Sequence, residues 1–141
     1  MLVIDPAWGI VSARIRSGKP HARSYDAAGC EYRWYPPPEA RHKRFACDVE
    51  RLRGRPPALL RRRSRARGAK DFCLRWSAAE VLSKLSAVPV LVLFKRYRLR
   101  HPAAKHATAV RLNGGRFLLR SFWIARRRTA VTLGYAIGAS T

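Results

Sequence analysis

The segment RLRGRPPALLRRRSRAR, residues 51–67, holds eight arginines and no acidic residue. Guanidinium groups packed this closely repel one another unless a solvated surface or a polyanion takes up their field. Any fold must therefore leave this segment at the surface, and a negatively charged partner is the first functional hypothesis. The arginines concerned are Arg51, Arg53, Arg55, Arg61, Arg62, Arg63, Arg65 and Arg67.

The positive charge of the chain, +22 in all, is concentrated after residue 50. Residues 51–100 carry fifteen Lys or Arg and two Asp or Glu, and no acid follows Glu80. Metal-dependent hydrolases and paired-carboxylate chemistries need several acids at one place. Because the last 61 residues supply none, we expect no enzyme, no cofactor and no metal site.

Arginine outnumbers lysine by 24 to 6. This excess favours bidentate phosphate contacts and stacking on bases over binding by positive charge alone, for which lysine would serve as well. The sequence therefore predicts a nucleic-acid-binding protein, with RNA favoured over DNA as the partner. A component of a ribosome or similar ribonucleoprotein, in contact with other proteins of that assembly, would fit such a chain, since the RNA would balance its charge.

The same composition has a second explanation. Ala, Arg, Gly and Pro make up 63 of the 141 residues, and the chain has no glutamine. Translation of a GC-rich reading frame produces this bias. The frame could encode a functional protein whose composition has drifted under mutation, or it could have no selected function. Composition alone leaves both explanations open.

Cysteine usage and hydropathy bear on the compartment. Cys30, Cys47 and Cys73 are odd in number and widely spaced, which predicts free thiols in an intracellular, reducing compartment. No secretory signal is visible. The longest apolar run, 85–94, is broken by Pro89 and has about half the length of a membrane-spanning helix, so we expect no integral membrane segment.

Turn-forming residues and changes of hydrophobic period predict an α+β fold, one domain with three parts. Residues 1–38 are expected to form an N-terminal β-hairpin, at 1–15, and a loop-rich arm that contains many prolines and aromatic residues. The triproline at 36–38 favours an extended segment and ends this part.

Residues 39–87 are predicted to form a basic helical region with two to three short helices. A shorter helix is expected at 58–67, between two prolines and a glycine. Ser77 and Glu80 match a capping box, which predicts the start of a third helix. Apolar residues at helical spacing favour the first helix, at 39–53, namely Phe45, Val49 and Leu52.

Residues 88–141 are predicted to form an antiparallel β-meander of three to four strands, because the hydrophobic period changes from 3.6 to 2. Asn113-Gly114-Gly115 is typical of a hairpin turn. The strands are expected at 88–100, 107–112, 116–125 and 129–137.

Side chains two apart in a strand share a face, so this alternation predicts an apolar face for the helices and a basic face open to solvent. On the basic face Phe122 would offer a surface on which a base can stack. The predicted arginines of that face are Arg96, Arg98, Arg100, Arg111, Arg116 and Arg120, and the tripeptide Arg126, Arg127 and Arg128 completes the predicted nucleic-acid contacts.

The N-terminal residues Met1–Trp8 carry an alternative enzyme hypothesis. An apolar strand followed by Asp5-Pro6-Ala7-Trp8 resembles the Asp-Pro-Pro-Trp signature of amino-group methyltransferases acting on nucleic acids, with Ala7 in place of the second proline. That resemblance implies a doubly wound sheet and a glycine-bearing cofactor loop, yet the chain has no Gly-x-Gly.

The same opening, an apolar strand ending in Asp-Pro before a hairpin, is similar to RuvC-like nucleases of the RNase H fold. The resemblance implies that Asp5 holds a metal with two or three further carboxylates. Those would have to come from Asp26, Glu31, Asp48, Glu50, Asp71 or Glu80.

Overall fold

The computed structural model describes residues 6–12, 19–97 and 107–139. Within these residues the chain forms three α-helices and two antiparallel sheets, an α+β fold as predicted. The elements are β1 (Ile10–Ser12), β2 (Ala22–Tyr25), β3 (Glu31–Tyr35), β4 (Phe45–Arg51), α1 (Ala58–Ser64), α2 (Ala69–Ser86), α3 (Val90–Arg96), β5 (Thr108–Leu112), β6 (Gly115–Ile124) and β7 (Thr129–Ala139).

The larger sheet has the strand order β4-β7-β6-β5, and the smaller one has the order β1-β3-β2. In the larger sheet β5, β6 and β7 follow three of the four predicted C-terminal strands. Asn113 and Gly114 both adopt positive φ, 49° and 76°, as a two-residue hairpin turn requires. The hairpin predicted from Asn113-Gly114-Gly115 is therefore confirmed.

The predicted helix at 39–53 was wrong, because residues 45–51 form the strand β4. This strand pairs with β7 along its whole length, from Phe45 opposite Tyr135 to Arg51 opposite Thr129. Phe45 and Val49, two of the three apolar residues that suggested a helical period, also fit a period of two with Cys47 between them, whereas Leu52 lies beyond the end of the strand. Both faces of β4 are covered, so the backbone pairing with β7 prevails over the local pattern.

The predicted strand at 88–100 was also wrong for its described part, since residues 90–96 form α3. Ala87 takes a left-handed conformation, φ 59°, and Pro89 precedes the first turn of the new helix. A short run of uniformly apolar residues does not distinguish a strand from a buried helix by periodicity. Leu93 and Phe94 are buried in the core, while the predicted strand positions 98–100 lie outside the described residues.

The third helix exists, but it begins eight residues before the predicted capping box. α2 starts at Ala69, and Ser77 lies buried in its middle, where its Oγ lies 2.8 Å from Thr132 Oγ1 on β7. Ser77 therefore fixes the helix against the sheet and does not cap it. The predicted apolar face of this helix is buried as expected, at Val81, Leu82 and Leu85.

The N-terminal part contains more regular structure than the predicted loop-rich arm. β2 and β3 form a hairpin whose turn is closed by Asp26, with its backbone N–H donating to Cys30 O at 3.0 Å. β1 pairs with the other edge of β3. The first strand of the predicted hairpin at 1–15 lies outside the described residues.

The larger sheet is covered on both faces. α2 packs on one face, where Leu82 and Leu119 are buried in one core cluster. The smaller sheet packs on the other face, where Trp34 lies in a second cluster together with Leu133. The molecule thus has three layers, and only parts of the larger sheet remain open to solvent.

Candidate nucleic-acid interface

The arginine-rich segment leaves the folded core and returns to it at nearly the same place. Leu52, at its start, and Cys73, beyond its end, belong to one apolar cluster that also includes Trp123. The residues between them therefore form a surface excursion that carries α1. This placement agrees with the requirement that the arginines stay at the surface.

The end of α1 is held in place by a polar network with α2. Arg65 takes a left-handed conformation, φ 55°, and its N–H donates to Arg62 O at 3.2 Å. Arg75 donates from Nη1 to Ser64 O at 3.1 Å and from Nε to Asp71 Oδ2 at 2.9 Å. The same carboxylate accepts the Arg67 backbone N–H at 2.8 Å. The backbone that carries the arginines is thereby fixed.

The arginine side chains of α1 point to solvent and border two clefts. Each cleft has a volume of about 360 Å³. The first lies between α1 and α3, and the second along α1 itself. The first is lined by Arg62, Arg63, Arg65, Phe94 and Lys95, and the second by Ala58, Arg61, Arg62, Arg65 and Ala66.

A second group of cations lies at the turn between β6 and β7. Arg126, Arg127 and Arg128 are all exposed there. Arg51 is paired in register with Thr129, and Leu52 N–H donates to Arg128 O at 2.8 Å. Strand pairing therefore brings this turn beside the start of the arginine-rich segment, although the two are far apart in the sequence.

Two aromatic side chains orient cations near this turn. Arg127 donates from Nη1 to Tyr32 Oη at 3.1 Å, with its guanidinium 5.8 Å from the Tyr32 ring centre. This hydrogen bond raises the pKa of Arg127. Lys70, on the first turn of α2, lies with Nζ 5.4 Å from the Trp123 ring centre. Sequence reasoning missed Lys70 because it placed the start of this helix at Ser77.

We call these exposed cations the cationic surface. None of them takes part in an ion pair among the described residues, where the ion pairs join Arg33 with Glu31, Arg75 with Asp71 and Lys84 with Asp48. No carboxylate of the described chain therefore forms an ion pair with these cations. The cationic surface comprises Arg51, Arg53, Arg61, Arg62, Arg63, Arg65, Arg67, Lys70, Arg126, Arg127 and Arg128.

The predicted open face of the sheet was wrong for Phe122. Its side chain is only 9% exposed and belongs to the core beneath the smaller sheet. Arg120 lies with its guanidinium 4.8 Å from the Phe122 ring centre and covers it. The ring offers no free face on which a base could stack. The N-terminal residues cover this face of the sheet, which the alternation of polar and apolar residues had predicted to be open to solvent.

The remaining predicted contacts are dispersed. Arg96 is exposed at the end of α3 rather than on the sheet, and Arg55 is exposed in the loop before α1. Arg98 and Arg100 lie outside the described residues. Arg111, Arg116 and Arg120 do share one face of the sheet, as the alternation predicts.

Three of the acids named for the enzyme hypothesis, Asp48, Glu50 and Glu80, lie near one another, but they do not form a metal site in the described structure. Asp5 lies outside the described residues, so its surroundings are not seen. No group of three or more His, Cys, Asp or Glu side chains in the described ranges has the arrangement of a metal site. Both sheets are antiparallel, whereas the methyltransferase resemblance implies a doubly wound sheet.

No single helix among the described residues is both long and apolar enough to cross a membrane; α2 and α3 meet that criterion only as a pair, bent by 108°. No protein-family model matches the chain, and no curated protein or solved structure is significantly similar to it.

Proposed function

We propose that this protein binds the sugar-phosphate backbone of nucleic acid, RNA in preference to DNA, and does so without catalysing a reaction. The observation that supports it is the cationic surface: exposed arginines from segments far apart in the sequence, which form no ion pair with a carboxylate among the described residues. Such a surface attracts a polyanion and gains affinity from the release of counterions. Because Phe122 is buried, recognition depends on the arginines rather than on stacking against this ring.

The arrangement of α1 favours phosphate as the bound group. Arg62 and Arg65 border both clefts, and the fixed C-terminal end of α1 sets the spacing of its guanidinium groups. A guanidinium group can donate two parallel hydrogen bonds to a phosphate, which a lysine cannot do. Arginines on an ordered helix lose less conformational entropy on binding than arginines on a disordered tail.

The preference for RNA rests on the arginine excess, since guanidinium planes also stack on the unpaired bases of RNA loops. An intracellular ribonucleoprotein, in which RNA balances the charge and other proteins complete the assembly, is the setting we propose. The three cysteines are free in the structure, in keeping with a reducing compartment.

Replacing Arg61, Arg62 and Arg63 by alanine should flatten the salt dependence of binding. Each phosphate contact contributes close to one unit to the slope of log affinity against log salt, so we expect a loss of about two to three units. Alanine keeps the helix, because it has the highest helix propensity. The slope is measured by fluorescence anisotropy with a labelled RNA stem-loop and with a DNA duplex of the same sequence.

A matched control removes the same charge elsewhere. Arg41, Lys43 and Arg44 are exposed at the start of β4, the end that lies away from the β6–β7 turn. Their replacement by alanine should leave the slope nearly unchanged. Equal slopes for the two triple variants would show that net charge alone drives binding. Absence of RNA binding by the wild type at low ionic strength would overturn the proposal.

A further inference from the structure

Two arginines lie side by side on the edge strand β5 and on its neighbour β6. They are at the opposite end of β6 from the β6–β7 turn, which belongs to the cationic surface. Arg111 on β5 is directly opposite Arg116 on β6. Their chain neighbours Leu112 and Phe117 are buried in the core under α2. Because side chains alternate between the faces of a strand, both arginines lie on the face away from the helices.

This pair is electrostatically unfavourable by itself. Side chains directly opposite in an antiparallel pair have Cβ atoms about 5 Å apart, and like charges there destabilise the sheet. Arg116 Nε is buried and has no hydrogen-bond partner among the described residues, which adds the cost of a desolvated donor. No acidic residue follows Glu80, so none of the strands β5, β6 and β7 carries a carboxylate.

An anion bound between the two guanidinium groups would remove the repulsion between them. A phosphate can accept hydrogen bonds from two arginines at once and would neutralise their repulsion. Arg120 lies on the same face farther along β6, held 4.8 Å from the Phe122 ring centre, so cations continue along the strand.

We propose that Arg111 and Arg116 form a second phosphate-binding site, so that one protein molecule holds two nucleic-acid segments at once. This inference rests on the proposed function and adds a bridging activity to it. The site lies on the face of the larger sheet away from α2, whereas α1 packs against α2 and α3 on the other side, so at least one layer spacing of about 10 Å separates them. That separation exceeds the Debye length of about 8 Å at physiological salt, so each surface binds its own segment.

The test uses a blunt RNA duplex of about ten base pairs, which is too short and stiff to bend around the molecule. Native mass spectrometry counts the duplexes bound per protein, and energy transfer between donor-labelled and acceptor-labelled duplexes detects bridging. We expect two duplexes per wild-type molecule and clear energy transfer. The double variant Arg111→Ala/Arg116→Ala should bind one duplex with no transfer.

The matched control, Arg41→Ala/Arg44→Ala, removes the same charge and should still bind two duplexes. The double variant should melt no lower than the wild type, because it loses a like-charge pair. If it fails to fold, Arg116→Met keeps the aliphatic part of the buried side chain and should show the same loss of the second duplex.

The outcomes separate the two proposals. One duplex per wild-type molecule would overturn the second site and leave the proposed function standing, whereas no bound duplex would overturn both. A last experiment adds inorganic phosphate at millimolar concentration as a competitor of the duplex. Phosphate that occupies the Arg111–Arg116 site and is not displaced by the duplex would identify a small phosphorylated ligand and overturn bridging.

Discussion

Trp34→Ala is expected to lower the free energy of unfolding by about 3–5 kcal/mol, the range for removing a buried tryptophan. Trp34 is fully buried between the two sheets. Its ring stacks on Trp8 with centres 6.4 Å apart and meets Phe45 edge-on at 5.9 Å. Its Nε1 donates to Trp8 O at 2.6 Å. Chemical denaturation measures the loss.

Two further variants calibrate this result. Trp34→Phe keeps a ring but loses the hydrogen bond to Trp8 O, and should cost about 1–2 kcal/mol. Tyr25→Ala changes an aromatic residue of the same sheet that is 57% exposed, and should change stability by less than about 0.5 kcal/mol. A Trp34→Ala variant as stable as Tyr25→Ala would show that the smaller sheet does not pack on the larger one.

Glu50→Gln is expected to stabilise the protein at pH 8 by about 1–2 kcal/mol and to leave it unchanged at pH 4. Burial raises the pKa of Glu50 from 4.5 to about 7, and the charges of Asp48 and Glu80 add to the effect, while Lys84 opposes it. One pKa unit corresponds to about 1.4 kcal/mol. The expected gain is smaller than the full shift implies because water still reaches Glu50 and screens its charge.

The sign of the pH dependence follows from the direction of the pKa shift. A carboxyl group with a raised pKa in the folded state binds more protons when folded than when unfolded, so stability falls as pH rises between the two pKa values. For Glu50 that window runs from about pH 4.5 to about pH 7. Asp48 acts in the same direction, since burial raises its pKa to about 6.

Glu31→Gln is the control for this prediction. Glu31 is partly exposed and accepts a hydrogen bond from Arg33, which lowers its pKa, so its contribution to stability is lost as the pH falls rather than as it rises. The pH profile of unfolding for Glu31→Gln should therefore keep the wild-type decrease between pH 4.5 and pH 7. A Glu50→Gln variant with the wild-type profile would contradict the burial of Glu50 against α2.

The positions of these acids help to explain why the described part of the cationic surface lacks ion-pair partners. Asp48 and Glu50 lie on β4, and Glu80 lies on α2 close enough to raise the pKa of both. Lys84 Nζ reaches Asp48 Oδ1 at 3.3 Å from the same helix. Three of the eight acids of the chain thus lie between β4 and α2, where they cannot pair with the surface arginines.

Local sequence patterns were reliable where one short-range rule decides the structure. The Asn113-Gly114 turn and the period of two on either side of it predicted β5 and β6, because φ is positive at both turn residues and few residue types accept that. The apolar face of α2 was predicted from spacing alone. The exposure of the eight arginines in residues 51–67 followed from their charge.

Gly134 illustrates what such patterns do not reveal. A Cβ atom there would lie 2.4 Å from Leu119 Cδ2 and 2.7 Å from Val81 Cγ1, so the glycine allows α2 to approach the sheet closely. A glycine within a strand often marks such an approach. Nothing in the neighbouring sequence says which element approaches, since Val81 lies more than fifty residues away in the chain.

The sequence by itself determined that the arginine-rich segment is solvated and that the last part of the chain forms hairpin-connected strands. It also determined that no acidic residue after Glu80 can neutralise the arginines there. The tertiary structure alone decided that residues 45–51 form a strand and that Phe122 is buried. It also decided that the turn with Arg126–Arg128 lies beside Arg51, which pairs with Thr129. The physical reason is that periodicity and charge act through near neighbours, whereas burial and strand pairing depend on which distant segment covers each face.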